Sequence, residues 1–466
     1  MATPSDGKAT DDDMFKIIKT STNALGPRRA RLALPGRRAI ETPHYLGLTS
    51  RGIIPHVSQD NFESLMDVSG VYIALEDFIE RAPQKVPAIL KFARQRPVDP
   101  LRRFVALPDE TLLVVGARRT PPLAAPAANS NTNTSVAIST AIGFKTLKAE
   151  DYAEDVELLK PDVVIGLGDI PYERALSSKR IEKAVDRQIQ WLKDHVTSRQ
   201  QVEAEDGTSC KLFAALLPVS CANQQYYIEC LTGEARDDIH GLAVYDLETL
   251  SDLPESLSDL PRMGFNDSKT PHDILRNVAL GIDVHAVPIL TIASEAGIAL
   301  DFDLSRQDRS SGILPLGIDM WLTGHATDLG PLAKGCTCYA CTDHHRAYLQ
   351  HLLNAKEMLA WVLLQVHNHA VMDRFFAAIR QSIDRGTFDA DAEVFARAYE
   401  PQLPAQTGSG PRLRGYQYRS DHAGETKKNP KAYDAFTKLD TPDTVGTPDE
   451  AEVAALTGSI RPAEVK

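Results

Sequence analysis

The feature that most limits what this chain can fold into is a repeated exchange between two hydrophobic periods. Short runs that are apolar at nearly every position, "DVVIGLGD", "KLFAALLPVS", "HGLAVYD" and "IDVHAVPI", alternate with segments whose apolar residues recur every three or four positions. The first kind suits strands buried on both faces in a parallel sheet, and the second suits helices that cover such a sheet. "EDYAEDVELLK" has helical spacing and stops at Pro161, and "QQYYIECLTGE" is a second short helix. "SSKRIEKAVDRQIQWLKDHV" opens on serines able to cap and carries Ile181, Ala184, Ile189, Trp191 and Leu192 among charges. "TPHDILRNVALG" starts with Thr270 as a cap and Pro271 in the first turn.

Strand, helix, strand in this succession requires parallel strands joined by right-handed crossovers, hence a doubly wound sheet or a closed (β/α)8 ring. No GxGxxG follows the first strands. The expected fold is therefore α/β, a (β/α)8 TIM barrel, with functional residues at the C-terminal ends of its strands. It is expected over residues 14–403, between low-order tails at 1–13 and 404–466, with a flexible, proline-rich insert at about 118–136.

With 466 residues, 43% of them hydrophobic, the chain can bury a large core. Its formal net charge of −12 argues against wholesale binding of nucleic acid through bulk charge, which leaves only local basic patches. One patch holds Lys91, Arg94, Arg96, Arg102 and Arg103; another holds Lys179, Arg180, Lys183 and Arg187. No apolar stretch reaches the roughly 18 residues of a membrane span, and "MATPSDGKATDDD" is polar and acidic where a secretory leader is basic and then apolar. A cytoplasmic protein is expected.

Three of the six cysteines fall within six residues, in "GCTCYAC". In a reducing compartment such a cluster reads as a metal site before it reads as a disulfide. Cys336, Cys338 and Cys341 form C-x-C-x2-C, which lets three thiolates turn inward from one tight loop. Candidates for a fourth ligand are His344, His345, His351, His367, His369 and Asp343. From Arg346 to about Ile379 the pattern is helical, with an apolar stripe of Leu349, Leu352, Leu353, Leu359, Val362, Leu363 and Val366. His367 shares that stripe, whereas His369 is turned roughly 200° away from it, so His367 is the better geometric choice. Four protein ligands leave no open position, which makes the expected Zn2+ structural, one per chain. Cys210, Cys221 and Cys230 lie in or beside apolar runs and read as buried free thiols.

"GCTCYACTDHHRAYLQHLLNAKEMLAWVLLQVHNH" resembles the zinc segment of the tRNA-guanine transglycosylase family, a C-x-C-x2-C loop followed by a histidine 26 residues after the last cysteine; here 341 + 26 gives His367. "ETPHYLGLTSRGIIPHVSQDN", "VVIGLGDIPYERALSSKR", "HGLAVYD" and "PHDILRNVALGIDV" resemble further segments of that family, so the likeness covers residues 20 to 400 or so. It implies a TIM barrel with an inserted zinc-binding subdomain at about 330–380. It also implies exchange of guanine for queuine at wobble position 34 of tRNAs with GUN anticodons, by a double displacement that needs two carboxylates.

This chain departs from the family at the chemistry. The nucleophile run reads "GIDVHAVPILT", which keeps a first aspartate as Asp283 but places Ala286 at the attacking position. At the neighbouring strand position, His285 points to the other face and is expected to pack. The D-S-G-G-F-Q motif is missing, and its region offers only Asp109 and Glu110. Gly168 stands where the base-binding aspartate would be, with Asp169 next to it, and Leu217 and Pro218 replace the glutamine and glycines that face the base. The resemblance thus implies a non-catalytic member that pairs as a heterodimer with a catalytic queuine tRNA-ribosyltransferase subunit and reaches tRNA through that complex. Arg102, Arg103, Lys179 and Arg180 are the candidate tRNA contacts. Peripheral association with the mitochondrial outer membrane is a further expectation left open. The competing reading is a self-sufficient transglycosylase using Asp283 or Asp169 as a displaced nucleophile.

Overall fold

Along the chain the strands are β1 (Phe15–Lys19), β2 (Arg29–Leu32), β3 (Ile40–Thr42), β4 (His44–Leu48), β5 (Gly70–Ala74), β6 (Leu112–Gly116), β7 (Ser135–Thr140), β8 (Gly143–Lys148), β9 (Val163–Ile165), β10 (Lys211–Ala215), β11 (Gly241–Val244), β12 (Arg262–Gly264), β13 (Val284–Ala286), β14 (Ile298–Leu300) and β15 (Gly317–Asp319). The structure is a computed structural model that describes residues 14–20, 25–79, 86–125, 130–140, 143–171, 176–206, 209–305 and 312–411. The tail expected at 1–13 and most of the one expected at 404–466 lie outside the described residues.

Eight strands close a parallel barrel in the order β4-β5-β6-β9-β10-β11-β12-β13, with β13 paired back to β4. Period-two alternation sorts the strand residues into two cores. Val71, Ile73, Leu113, Val115, Leu212 and Ala214 pack outward under the helices, while Tyr72, Ala74, Leu112, Val114, Phe213 and Ala215 pack inside the ring. Nearly every barrel-strand residue is buried on one side or the other, which is why these runs read as continuously apolar. The expected α/β barrel is the fold observed.

The covering helices start and stop where local chemistry directs. In helix Pro271–Ala279, Thr270 and Asp273 form a reciprocal capping box behind Pro271. Helix Ala149–Leu159 ends in left-handed Lys160, φ 49°, just before Pro161. Helix Ser178–Asp206 runs 29 residues, further than its expected end near Val196.

Four features differ from the sequence reading. The helix expected from Arg346 to Ile379 is two helices, Arg346–Asn354 and Met358–Arg385, broken at Lys356 with φ 55°. No glycine or proline marks that break. The expected insert at 118–136 is anchored on both sides of residues 126–129, which are not described: Arg119 pairs with Glu76 and Asp77, and Ser135 begins a hairpin of β7 with β8. Residues 404–411 are described, and Thr407 donates a hydrogen bond to Asp319. The antiparallel sheet β1-β2-β3 has no counterpart in the sequence reading. It sends Met14, Leu32 and Ile40 into the inner core at the N-terminal end of the barrel.

Candidate metal centre and barrel mouth

The cysteine cluster sits where two pieces of chain meet. Gly335, with φ 77°, turns the chain into a loop carrying Cys336 and Cys338, and the short helix Tyr339–Thr342 supplies Cys341. The backbone N–H groups of Cys341 and Thr342 donate to the Cys338 carbonyl at 2.9 and 3.0 Å, which curls the three thiols to one side. Opposite them, His367 rises from the middle of helix Met358–Arg385, fully buried. Its Nδ1 lies 3.7 Å from Cys336 Sγ, 3.6 Å from Cys338 Sγ and 3.3 Å from Cys341 Sγ. Bond lengths of ~2.3 Å to sulfur and ~2.05 Å to nitrogen around a tetrahedral ion imply an S···N separation of ~3.6 Å. The four donors therefore form a cluster that could hold a metal ion.

The second ring nitrogen fixes the tautomer. His367 Nε2 donates to the Leu300 carbonyl at 2.9 Å, which leaves the Nδ1 lone pair facing the thiols. Burial alone would lower the His367 pKa, yet hydrogen bonds and charge from Cys336 and Cys341 raise it to about 9. A cation at the same point would supply that positive charge itself and keep Nδ1 free of a proton.

The other candidates are placed elsewhere. His345 Nδ1 accepts from the Tyr348 N–H and caps helix Arg346–Asn354. His344 stacks on Tyr348 at 5.5 Å, His351 is exposed, and Asp343 accepts from the Thr342 hydroxyl. His369, turned away from the cluster, is nonetheless buried, with Nδ1 3.1 Å from the Tyr45 hydroxyl. The long helix is covered on two faces, by the metal loop and by the barrel wall. Cys210, Cys221 and Cys230 are buried free thiols.

At the C-terminal mouth of the barrel, where a TIM barrel carries its chemistry, the strand ends are filled. Ala286 closes β13 and belongs to the inner core. Tyr72, Phe265 and Tyr245 stack across the opening, with centroids 5.2 and 5.5 Å apart, and the Tyr72 hydroxyl donates to the Arg118 carbonyl at 2.5 Å. Gly116 is required there, because an added Cβ would stand 2.1 Å from the Tyr72 oxygen. Among the described residues, Tyr72, Arg118, Ile165, Gly168 and Tyr245 line a cavity of about 20 Å³. One water fits such a space.

The carboxylates near this strand are locked. Asp283 precedes β13, so it lies at the opposite end of the barrel from the mouth, and it is fully buried. Arg28 binds it through Nε at 2.9 Å and Nη2 at 2.5 Å, and the Arg262 N–H adds a third bond at 2.8 Å. Asp169 follows β9 and is also fully buried, held by Arg180 through two bonds of 2.6 Å, by Arg187 at 2.9 Å and by Asn131 at 2.6 Å. Burial alone would raise its pKa; the bonds from Arg180, Asn131 and Arg187 outweigh that and hold it below the usual carboxylate range. Neither group is free to attack a sugar. Asp109 and Glu110 are exposed on the loop entering β6, at the end of the strand away from the mouth. His285 packs outward at 5.4 Å from the Phe376 ring, as expected.

Among the four expected tRNA contacts, Arg102 is corrected outright. It is buried, bonded to Asp162 at 2.8 Å and to the Pro108 and Thr111 carbonyls, so its guanidinium is spent inside the fold. Arg180 is committed to Asp169, while Arg103 and Lys179 are exposed.

A closed (β/α)8 barrel whose mouth is filled, carrying a three-cysteine, one-histidine cluster, defines the class of protein. The chain belongs to the queuine tRNA-ribosyltransferase family, whose sequence profile matches residues 23–401. Relatives named queuine tRNA-ribosyltransferase accessory subunit 2 occur in Schizosaccharomyces pombe, 34% identical over 86% of this chain and 88% of that protein, and in Ixodes scapularis, 27% identical over 74% and 90%. A third, from Xenopus laevis, is 26% identical over 78% of this chain and 94% of its own length.

Proposed function

We propose that this chain is the non-catalytic subunit of a queuine tRNA-ribosyltransferase complex, in which a catalytic partner exchanges guanine for queuine at position 34 of tRNAs with GUN anticodons. The observation that carries the reading is Ala286, at the strand end where the resemblance places the attacking carboxylate. The filled mouth and the immobilised Asp283 and Asp169 support it. So do the names of the relatives.

In this reading the four-residue cluster holds one Zn2+, closed to water and substrate, which staples the loop of 335–342 to the long helix. The partner docks on the surrounding subdomain, where Leu322, Leu329, Tyr339, Met358 and Leu359 are exposed and apolar. Arg103 and Lys179 remain the candidates for backbone contact with tRNA. The barrel with its metal subdomain is one unit, and it works in the cytoplasm; among the described residues no helix is long and apolar enough to cross a membrane. Nothing among them supports a peripheral association with mitochondria.

The test is base exchange on guanine-labelled tRNA by this chain, by the catalytic chain, and by the mixture. Release only in the mixture, or strongly raised there, is the expected result. Release by this chain alone that Asp283→Ala abolishes would overturn the reading.

A further inference from the structure

Of three tryptophans, Trp191 and Trp361 are buried and Trp321 keeps part of its surface. Its ring is met by two glycines from distant parts of the chain. Gly297, left-handed at the end of helix Ile289–Ala296, lies against the pyrrole edge; an added Cβ would stand 2.2 Å from Nε1, which donates to the Ala296 carbonyl at 3.0 Å. Gly408 lies over the ring fusion, and there a Cβ would stand 2.0 Å from Cδ2. Only bare backbone can approach so closely.

The segment that delivers Gly408 is lightly held. The Thr407 hydroxyl donates to Asp319, whose other oxygen accepts from the Trp321 N–H at 3.0 Å. Gln406 Nε2 donates to the Gly408 carbonyl at 2.6 Å, and Gly410 passes beside the Glu295 carbonyl. Gln406, Thr407 and Ser409 are exposed, so no large side chain of the segment is buried beneath it. A stretch with so little buried apolar surface opens at low cost. What it covers is of the opposite kind: a large aromatic ring, followed by Leu322 at 50% exposure. Aromatic anchors with apolar neighbours are what protein interfaces bury at their centres.

We propose that residues 406–410 are a displaceable strap occupying, in cis, an apolar docking platform centred on Trp321, and that a second protein chain takes the platform by displacing it. That chain is the catalytic subunit, so this part rests on the function proposed above. Trp321 follows β15 by two residues and packs against the apolar cluster of the metal subdomain that holds Cys336 and Cys341. The strap then acts as a competitor tethered beside its own site, which lowers the apparent affinity of the partner until it is released.

Two full-length variants test this. Gly408→Val places side-chain atoms where the indole stands, and Thr407→Val removes only the bond to Asp319. In the isolated chain both are expected to make one tryptophan more open to acrylamide quenching, with a red-shifted emission that Trp321→Phe abolishes. Titrated with the catalytic chain, both are expected to bind at least threefold more tightly than the parent. Unchanged quenching would overturn the strap, and opened quenching with equal or weaker binding would overturn the competition. If neither parent nor variant binds the catalytic chain, the subunit reading falls and the docking claim with it, while quenching still decides whether the strap covers the ring.

Discussion

Ala286 and Asp283, three positions apart, show how little of a side chain's role follows from its identity alone. Asp283 was legible as a retained aspartate, and its use was not, because both of its anchors come from distant sequence: Arg28, 255 positions away, and the backbone of Arg262, 21 away. The same holds for Arg102, which reads as a surface cation until Asp162, 60 positions on, claims it. Asp283→Asn is expected to lower unfolding stability by ~3–5 kcal/mol, since it leaves the buried Arg28 without its counter-charge. Urea melts measure this, and base exchange per folded mixed complex should be preserved. Ala286→Asp is expected to restore no exchange in the isolated chain. It should lower stability by ~1–3 kcal/mol, because the new carboxyl enters an apolar inner core. A gain of labelled-guanine release by that variant would contradict the filled mouth.

At the scale of elements, periodicity exposed the barrel strands and most of the helices. Pairing that spans a loop left no local signal, which is why the β1-β2-β3 sheet and the β7-β8 hairpin were not legible. Neither was the interruption at Lys356, where an ordinary side chain adopts the left-handed conformation. The cysteine and histidine cluster was legible because three of its four members are close in sequence and the fourth lies on a helical stripe. His367→Ala, or strong chelation, is expected to release the proposed Zn2+ and to raise hydrogen exchange at residues 335–345, while β4, β5 and β6 stay protected. Mass spectrometry of exchanged peptides checks this. Equal deprotection of the barrel strands would mean the ion supports the whole fold rather than a staple.

The molecule as a whole carries a pH dependence in the seam between β4, β13 and the long helix. His44 and His285 are buried there, and burial lowers each to about 3, with Arg380 adding to the shift of His44. Their unfolded values lie near 6.5, so the unfolded chain takes up protons first, and stability is lost as pH falls from about 6.5 toward 3. Asp373, bonded to Tyr45 in the same seam, is raised by burial to about 7 and works the other way, losing stability as pH rises from about 4 through 7. His285→Phe is therefore expected to remove about 2 kcal/mol of the stability difference between pH 7 and pH 5. Denaturation at the two pH values reads it directly, and an unchanged difference would show that His285 keeps its ordinary affinity for protons in the fold.

The stacked rings of Tyr72, Phe265 and Tyr245 bear on pharmacology. With the mouth taken up by those rings, a compound shaped like the modified nucleobase is expected to saturate at one molecule per two polypeptides in a mixed pair with the proposed catalytic partner. Dose-response curves against such a pair would report the companion's cleft alone.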